Sequence, residues 1–219
     1  LAALDRSVLS VLIEPIRADF KLNDSQLGFV AGLAFGLPCG IMALPFGLLI
    51  DRVNRRTFLA AILGLWSLLT ALGGVAQNYI QLVLSRMAVG TAEAGVPAAH
   101  AIITDYFPAE KRPMALGIVL SGGSIAYMIT FAIGGWVAQT WGWRYVFFVV
   151  GFPGLIVALT IFLTVREPVR GATEKTRQAN VESAPSFLET IRHLFHLRSF
   201  VHIFIGYALV SASVSSFWS

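Results

Sequence analysis

Three ionisable side chains lie on one long apolar stretch of the sequence, residues 82–105. They are Arg86, Glu93 and His100, and because they are seven residues apart they drift by only about 20° per step around a helix. The three side chains therefore share one helix face. A charged side chain at the middle of a bilayer costs on the order of 3 kcal/mol. We predict that this face borders a water-filled cavity through which a substrate is carried.

Asp5 and Arg6 add a second charged pair within the first apolar stretch. Left unpaired in lipid, these two groups with Arg86 and Glu93 would cost roughly 10 kcal/mol or more, which rivals the stability of a domain. They must therefore pair, face water, or both. Glu93 is a candidate proton carrier, since a carboxyl group in a cavity can take up a proton in one conformation and release it in another. The alternative is a fixed ion pair between Glu93 and Arg6 or Arg86, and His100 is interpreted as a packing or lining residue.

The composition indicates where these groups sit. The chain has 219 residues, of which 56% are hydrophobic and 13% are charged, whereas a soluble domain has about 25% charged residues. Several apolar stretches approach 20 residues, the length of a membrane-spanning helix. We predict an all-α polytopic membrane protein. The sequence contains neither a metal-ligand cluster, a catalytic triad nor a phosphate loop, so we expect no metal, no cofactor, no nucleic-acid partner and no enzymatic activity.

The predicted spans define the domain organisation. They cover about residues 1–18, 26–50, 57–76, 82–105, 114–138 and 145–165. Residues 1–165 would form a six-helix bundle, and residues 166–198 a linker that ends in an amphipathic helix over 186–198, lying in the headgroup plane or against a soluble partner. Residues 199–219 would begin a truncated seventh span. Spans 1 and 4, which carry the charges, open two successive triplets, and in many transporters such triplets are inverted repeats whose first helices line the substrate path.

Two further patterns concern packing and orientation. Glycines 28, 32, 36 and 40 recur at every fourth residue of span 2, a pattern typical of close helix contact. Of the 16 Lys and Arg residues, eleven fall in the loops after spans 2, 4 and 6 and three in the opposite turns. Without the long linker the ratio is still five to three. The positive-inside rule therefore places loops 2–3, 4–5 and 6–7 in the cytoplasm.

The loop after span 2, GLLIDRVNRRT, carries the sharpest motif. It resembles the signature between helices 2 and 3 of the major facilitator superfamily, Gly-x-Leu-x-Asp-Arg-x-Gly-Arg-Arg. The matching residues are Gly47, Leu49, Asp51, Arg52, Arg55 and Arg56. Asn54 stands where most members have Gly, and Asn is the next-best residue for a left-handed turn.

Other segments are similar to the spinster branch of the superfamily, the sphingolipid and lysophospholipid transporters. They are Leu4-Asp5-Arg6, Leu65-Trp66-Ser67-Leu68, Arg86 with Gly90, Glu93 and Ala94, Thr104-Asp105-Tyr106-Phe107, and Arg166-Glu167-Pro168-Val169-Arg170-Gly171. The resemblance implies a monomeric twelve-helix transporter with two six-helix bundles, each built from 3+3 inverted repeats, that works by alternating access. This chain would be the N-terminal bundle and the start of helix 7, and the C-terminal half would complete the transporter.

The resemblance also implies roles for individual residues. Asp5, Arg6, Arg86 and Glu93 would line the cavity, with Glu93 and Asp5 coupling protons and Arg6, Arg86 and Glu93 binding substrate. Gly47, Asp51, Arg52, Arg55 and Arg56 would form a cytoplasmic gate in which Asp51 meets a helix N-terminus of the second bundle. Arginine suits phosphate recognition, so the expected cargo is a lysophospholipid or a sphingoid phosphate.

Two alternatives remain open at this point. The first is a proton-linked transporter of organic anions or drugs within the same superfamily. The second, of a different class, is a non-transporting membrane sensor. In each case the chain is expected to be a multi-pass protein of the bilayer, in the inner membrane if the source is bacterial.

Overall fold

The computed structural model describes residues 2–50, 52–167, 196–203 and 205–206, and every regular element in these ranges is helical. The chain divides into two compact units, Leu1–Thr173 and Glu174–Ser219. The predicted amphipathic helix over 186–198 lies almost entirely outside the described residues, as does most of the predicted seventh span. In the second unit, residues 198–203 are helical.

The first unit contains a succession of helices that confirms the predicted fold class. They are α1 (Ala2–Phe20), α2 (Asp24–Ile50), α3 (Arg55–Gly73), α4 (Tyr79–Glu93), α5 (Pro97–Tyr106), α6 (Arg112–Thr140) and α7 (Trp143–Thr164). Among the described residues, α2, α3, α6 and α7 are long and apolar enough to cross a membrane by length and composition. The predicted spans 1 and 4 correspond to α1, which is rich in charged residues, and to the shorter pair α4 and α5.

The structure corrects the prediction of one continuous helix over residues 82–105. The helix is interrupted between Glu93 and Pro97. Because proline has no backbone N–H, it cannot donate to the carbonyl four residues earlier, and the Glu93 carbonyl accepts from the Val96 amide at 3.0 Å instead. Gly95 allows the turn to pack closely, since a Cβ there would lie 2.7 Å from the Ile62 side chain. His100 therefore belongs to α5 and is separated by the break from the face that carries Arg86 and Glu93.

Asparagine side chains begin three of the helices. Asn23 forms a capping box with Gln26 at the start of α2, and Asn78 accepts a hydrogen bond from the first turn of α4. Asn54 accepts from the Thr57 amide at 2.8 Å, with φ −62° and ψ 114°. The expectation of a left-handed turn at Asn54 is thus wrong. An extended residue whose side-chain oxygen caps the amides of the first turn is the preferred N-cap.

The packing has the symmetry expected of two triplets. Spans 2 and 4 pack together as α2 against α4, and spans 5 and 1 pack together as α6 against α1, while α3 packs along most of α7. If each span of the first triplet is exchanged with its counterpart in the second, the pair of spans 2 and 4 becomes the pair of spans 5 and 1, and the pair of α3 and α7 is unchanged. The largest buried apolar cluster joins α1, α4 and α7 around Leu12, Leu82 and Phe147.

The glycines that support close helix contact differ from those predicted. A Cβ at Gly28, Gly32, Gly36 or Gly40 would meet no atom within 4 Å, so the ridge on α2 packs against no described helix. The close approach of α2 and α4 occurs instead at Gly90, where an added Cβ would overlap the Phe35 carbonyl. The predicted close helix contact at these four glycines is therefore not made among the described residues, because they lie on the open side of α2.

Candidate functional site

A buried ion pair joins α1 to α4. Arg86 Nη1 lies 3.1 Å from Asp5 Oδ2, and Arg86 Nη2 donates to the Asp5 backbone carbonyl at 3.4 Å. The hydroxyl of Thr70 on α3 donates to Asp5 Oδ1 at 2.9 Å. Both charged residues are only 2% exposed. The carboxylate is bound from two sides, and the guanidinium packs 5.6 Å from the centre of the Phe147 ring. The pair therefore connects α1, α3 and α4 with one another and, through Phe147, with α7.

A second ion pair, between Arg6 and Glu93, connects the same two helices. Arg6 follows Asp5 on α1, and Glu93 lies two turns after Arg86 on α4. Arg6 donates from Nη2 to Glu93 Oε1, and its guanidinium lies 5.8 Å from the centre of the Phe35 ring on α2. Glu93 is 3% exposed, whereas the Arg6 side chain is 56% exposed. Glu93 Oε2 is buried and has no hydrogen-bond partner within the described chain. This pair thus combines a buried carboxylate with a cation that reaches open space.

A cavity of about 300 Å³ lies beside these two pairs. It is lined by Asp5, Arg6, Leu9, Ala31, Gly32, Phe35 and Arg86. Ala31 and Gly32 belong to a π-helical turn of α2, Phe29–Leu33, and such turns are frequent at functional sites. The cavity therefore places charged groups on one wall next to apolar groups on another, which suits a ligand with both characters.

The structure brings Asp5, Arg6, Arg86 and Glu93 together, as their positions on spans 1 and 4 predict. All four groups are paired, which is one of the two ways in which they were expected to avoid lipid. Arg6 is also half exposed, whereas the other three are buried. The fixed contact between Glu93 and Arg6, which is the structural alternative for Glu93, is present. His100 is exposed on α5 and has no place in this group.

The residues of the predicted gate motif lie at the opposite end of α2 and at the start of α3. Arg55 forms an ion pair with Asp105 at the end of α5, and Arg52 is exposed. A Cβ at Gly47 would meet open space. Asp51 lies outside the described residues, so its predicted contact with a second bundle stays a prediction.

Glu167 is a functional candidate that the sequence reasoning missed. Its two carboxylate oxygens accept hydrogen bonds from the backbone amides of Arg55 and Arg56, each at 2.8 Å. Negative charge at a helix N-terminus is stabilising. Arg56 in turn donates to the Val165 carbonyl at 3.3 Å and lies 5.2 Å from the centre of the Phe162 ring. With the Arg55–Asp105 pair, these contacts connect the ends of α3, α5 and α7.

A sequence signal existed for two of the residues that were missed. Asp105 and Glu167 belong to the spinster-like sequence motifs at the ends of spans 4 and 6, and the loop after span 2 is rich in arginine. The three loops are predicted on the same side of the membrane, and opposite charges there are expected to pair. Thr70 and Phe147 carry no such signal, because a threonine and a phenylalanine in an apolar span are ordinary core residues.

Comparison with known proteins gives a consistent result. The profile of the Major Facilitator Superfamily matches residues 1–219. An MFS-type efflux pump of Mycolicibacterium smegmatis is 31% identical over 215 residues, which cover 96% of this chain and 48% of the pump. A probable L-galactonate transporter of Escherichia coli is 29% identical over 94% of this chain and 47% of its own length.

A solved structure is also similar. A bacterial homologue of the human lysosomal transporter Spinster, in an inward-facing and unoccupied conformation, matches with a TM-score of 0.71 and 33% identity. The match covers 89% of this chain and 46% of that homologue. The chain spans about half the length of the relatives that it matches.

Proposed function

Because the chain belongs to the major facilitator superfamily, we propose that it forms one half of a secondary-active transporter that works by alternating access. The sequence motifs predict membership of the superfamily and of its spinster branch. The family match and the structural similarity confirm this prediction. The relatives are transporters and not enzymes, in agreement with the expectation of no enzymatic activity. The remainder of the transporter would supply the second wall of the substrate path.

The observation that carries the proposal is the cavity between α1, α2 and α4. Its volume of about 300 Å³ is at the lower end of the range for ligand pockets. The half-exposed Arg6 guanidinium points to an anionic group on the substrate, and arginine binds phosphate or carboxylate through paired donors. Leu9 and Phe35 provide an apolar wall beside it.

These properties favour an amphipathic cargo, and we propose a lysophospholipid or a sphingolipid-like molecule. The anionic head would bind Arg6, and the chain would lie against the apolar wall. Arg86 would act mainly by holding Asp5, since its guanidinium is buried in that ion pair.

We propose that Glu93 carries the coupling proton. Its carboxylate is buried, has one partner in Arg6, and keeps one oxygen without a partner in the described chain. A substrate anion that binds Arg6 would compete with Glu93 for the guanidinium. The carboxylate would then be left buried without its counter-ion, a state in which protonation is favoured because an isolated buried charge is costly. Asp5, which is held by Arg86 and Thr70, is the second candidate for proton coupling.

The cytoplasmic gate motif belongs to the same proposal. Asp51, with Gly47, Arg52, Arg55 and Arg56 around it, would meet a helix N-terminus of the second half when the cytoplasmic side is closed. Glu167 and Asp105 would hold Arg55 and Arg56 in place for that contact.

Proteoliposome flux of a labelled lysophospholipid by the full-length protein, with and without a pH gradient, tests these proposals. Uptake should rise with the gradient, and Glu93→Gln should remove that rise while the protein stays folded. Glu14→Gln is a matched control, because Glu14 is a carboxylate on the same helix as Asp5 with a 72% exposed side chain. Unchanged gradient-driven uptake in Glu93→Gln would remove Glu93 from the coupling and leave the fixed ion pair as its role.

A second cargo class is favoured by the similarity to the L-galactonate transporter. A sugar-acid carboxylate would bind Arg6 as a phosphate does. Competition by unlabelled galactonate against the labelled lysophospholipid, in the same vesicles, distinguishes the two classes. Absence of flux and of counterflow for either cargo would support the non-transporting sensor instead.

A further inference from the structure

A groove of about 560 Å³ runs between the C-terminal half of α3 and the N-terminal half of α4. Leu69 and Leu72 of α3, Val75 of the α3–α4 turn and Leu84 of α4 form apolar walls. Gln77 and Gln81 line its other end, next to the turn that joins the two helices. The groove therefore changes from polar to apolar along the helix axes.

The change from polar to apolar lining occurs over a distance that fits helices crossing a bilayer. Gln77 lies in the α3–α4 turn, at the end of a membrane span, where headgroups lie. From Gln81 to Ala88, which also lines the groove, α4 advances by about 10 Å, because each helical residue adds 1.5 Å. The apolar part of the groove thus extends well into the region of the acyl chains.

The groove lies on the side of α4 away from the charged cavity. At about 100° per residue, Gln81, Ser85 and Ala88 fall within about 60° of one another. On the same helix, Arg86 and Glu93 project about 120–140° away from Gln81. An occupant of the groove would therefore not enter the substrate cavity, and this site is independent of the proposed transport path.

A positive charge lies at the polar end. Arg144 Nη2 donates to the carbonyl of Ala76, a groove residue, at 3.2 Å. Arg144 Nη1 also forms an ion pair with Asp19 at 2.7 Å, and about two fifths of the Arg144 side chain is exposed. The side-chain amide of Gln77 has no hydrogen-bond partner within the described ranges, so donors are available there for a phosphate or an ester.

We propose that this groove binds a glycerophospholipid from the leaflet on the side of the α3–α4 turn. One acyl chain would lie between α3 and α4, and the headgroup would lie at Gln77, Gln81 and Arg144. A lipid is favoured over a protein partner because the groove is continuous with the exposed apolar surface of Leu68, Leu72 and Leu84, which a membrane-spanning helix turns towards the bilayer.

Photolabelling of the full-length transporter in liposomes tests the proposal. The probe is a phosphatidylethanolamine with a diazirine midway along one acyl chain. Peptides covering residues 69–88 should be labelled several-fold more strongly than peptides from the lipid-exposed face of α7 around Phe152 and Leu163. Ala88→Phe, which fills the deep end of the groove, should reduce this labelling to the level of α7. Met87→Phe is the matched control, since Met87 is exposed at the same depth but does not line the groove.

A second variant keeps the proposal testable if Ala88→Phe does not fold. Gln77→Ala leaves the groove open but removes a headgroup contact, and it should lower the amount of phospholipid that remains bound in native mass spectrometry. Uniform labelling of α3, α4 and α7, or groove labelling that Ala88→Phe leaves unchanged, would overturn the proposal. So would protein–protein crosslinks at the groove, because they would assign it to a second copy of the chain.

Discussion

Replacing Asp5 by Asn should destabilise the bundle far more than replacing Glu93 by Gln, although each change converts a buried carboxylate into its isosteric amide. The difference lies in the cation that is left behind. Arg86 is 2% exposed and would remain buried beside an amide. Arg6 has a 56% exposed side chain and can be solvated once Glu93 is neutral.

The burial of the two arginines sets the expected magnitudes. Removing one partner of a buried ion pair costs about 3–5 kcal/mol, because an uncompensated charge remains in the interior. A pair whose cation is exposed contributes only about 0–1 kcal/mol. For a chain of this size, 1 kcal/mol corresponds to about 2–4 °C in the melting temperature. Asp5→Asn should therefore lower the melting temperature by about 6–20 °C and Glu93→Gln by at most about 4 °C.

Thermal unfolding of the detergent-solubilised protein, followed by size-exclusion chromatography of heated samples, measures both variants. The double variant Asp5→Asn with Arg86→Gln removes the unpaired cation and should recover at least half of the loss. If Asp5→Asn melts as Glu93→Gln does, water from the adjacent cavity reaches Arg86 and the buried-pair reasoning is wrong. If the double variant is no more stable than Asp5→Asn alone, the loss has another origin.

Three further outcomes follow from the contacts of single residues. Gly90→Ala should lower the melting temperature because its methyl group would overlap the Phe35 carbonyl, while Gly32→Ala, which faces open space, should leave it unchanged. Asn54→Ala should cost about 1 kcal/mol in the free energy of unfolding and Asn54→Gly only a few tenths, since glycine is an acceptable N-cap; equal losses would contradict the capping role. Glu167→Ala should cost about 0.3–2 kcal/mol, because Glu167 accepts two amides of a helix N-terminus, and no change in thermal unfolding would show that this contact is not maintained.

Much of the fold could be predicted from the sequence because it depends on local and periodic properties. The apolar stretches near 20 residues indicate membrane-spanning helices, and the position of charged residues on the first and fourth stretches identifies the helices that meet at the cavity. Asn54 was recognised as part of a loop motif, but its capping role depends on the backbone at the start of α3.

The helix break after Glu93 was missed although Pro97 is visible in the sequence. Proline also occurs within continuous helices here, at Pro15, Pro38 and Pro153, so Pro97 alone is not decisive. A glycine two residues before the proline is not decisive either, because Gly151 precedes Pro153 in the same way within the continuous helix α7, and a Cβ there would lie 2.7 Å from the Ser67 carbonyl oxygen. A periodic pattern along one segment therefore does not show that the helix breaks at Pro97.

The sequence by itself determined which groups must avoid lipid: Asp5, Arg6, Arg86 and Glu93, because a charge in an apolar span has a large cost wherever the span packs. Only the tertiary structure decided their pairing. It buries Arg86 against Asp5 and leaves Arg6 half exposed against Glu93. The residues of each pair are more than 80 positions apart, and the burial of a side chain depends on how the helices pack, which no single segment specifies.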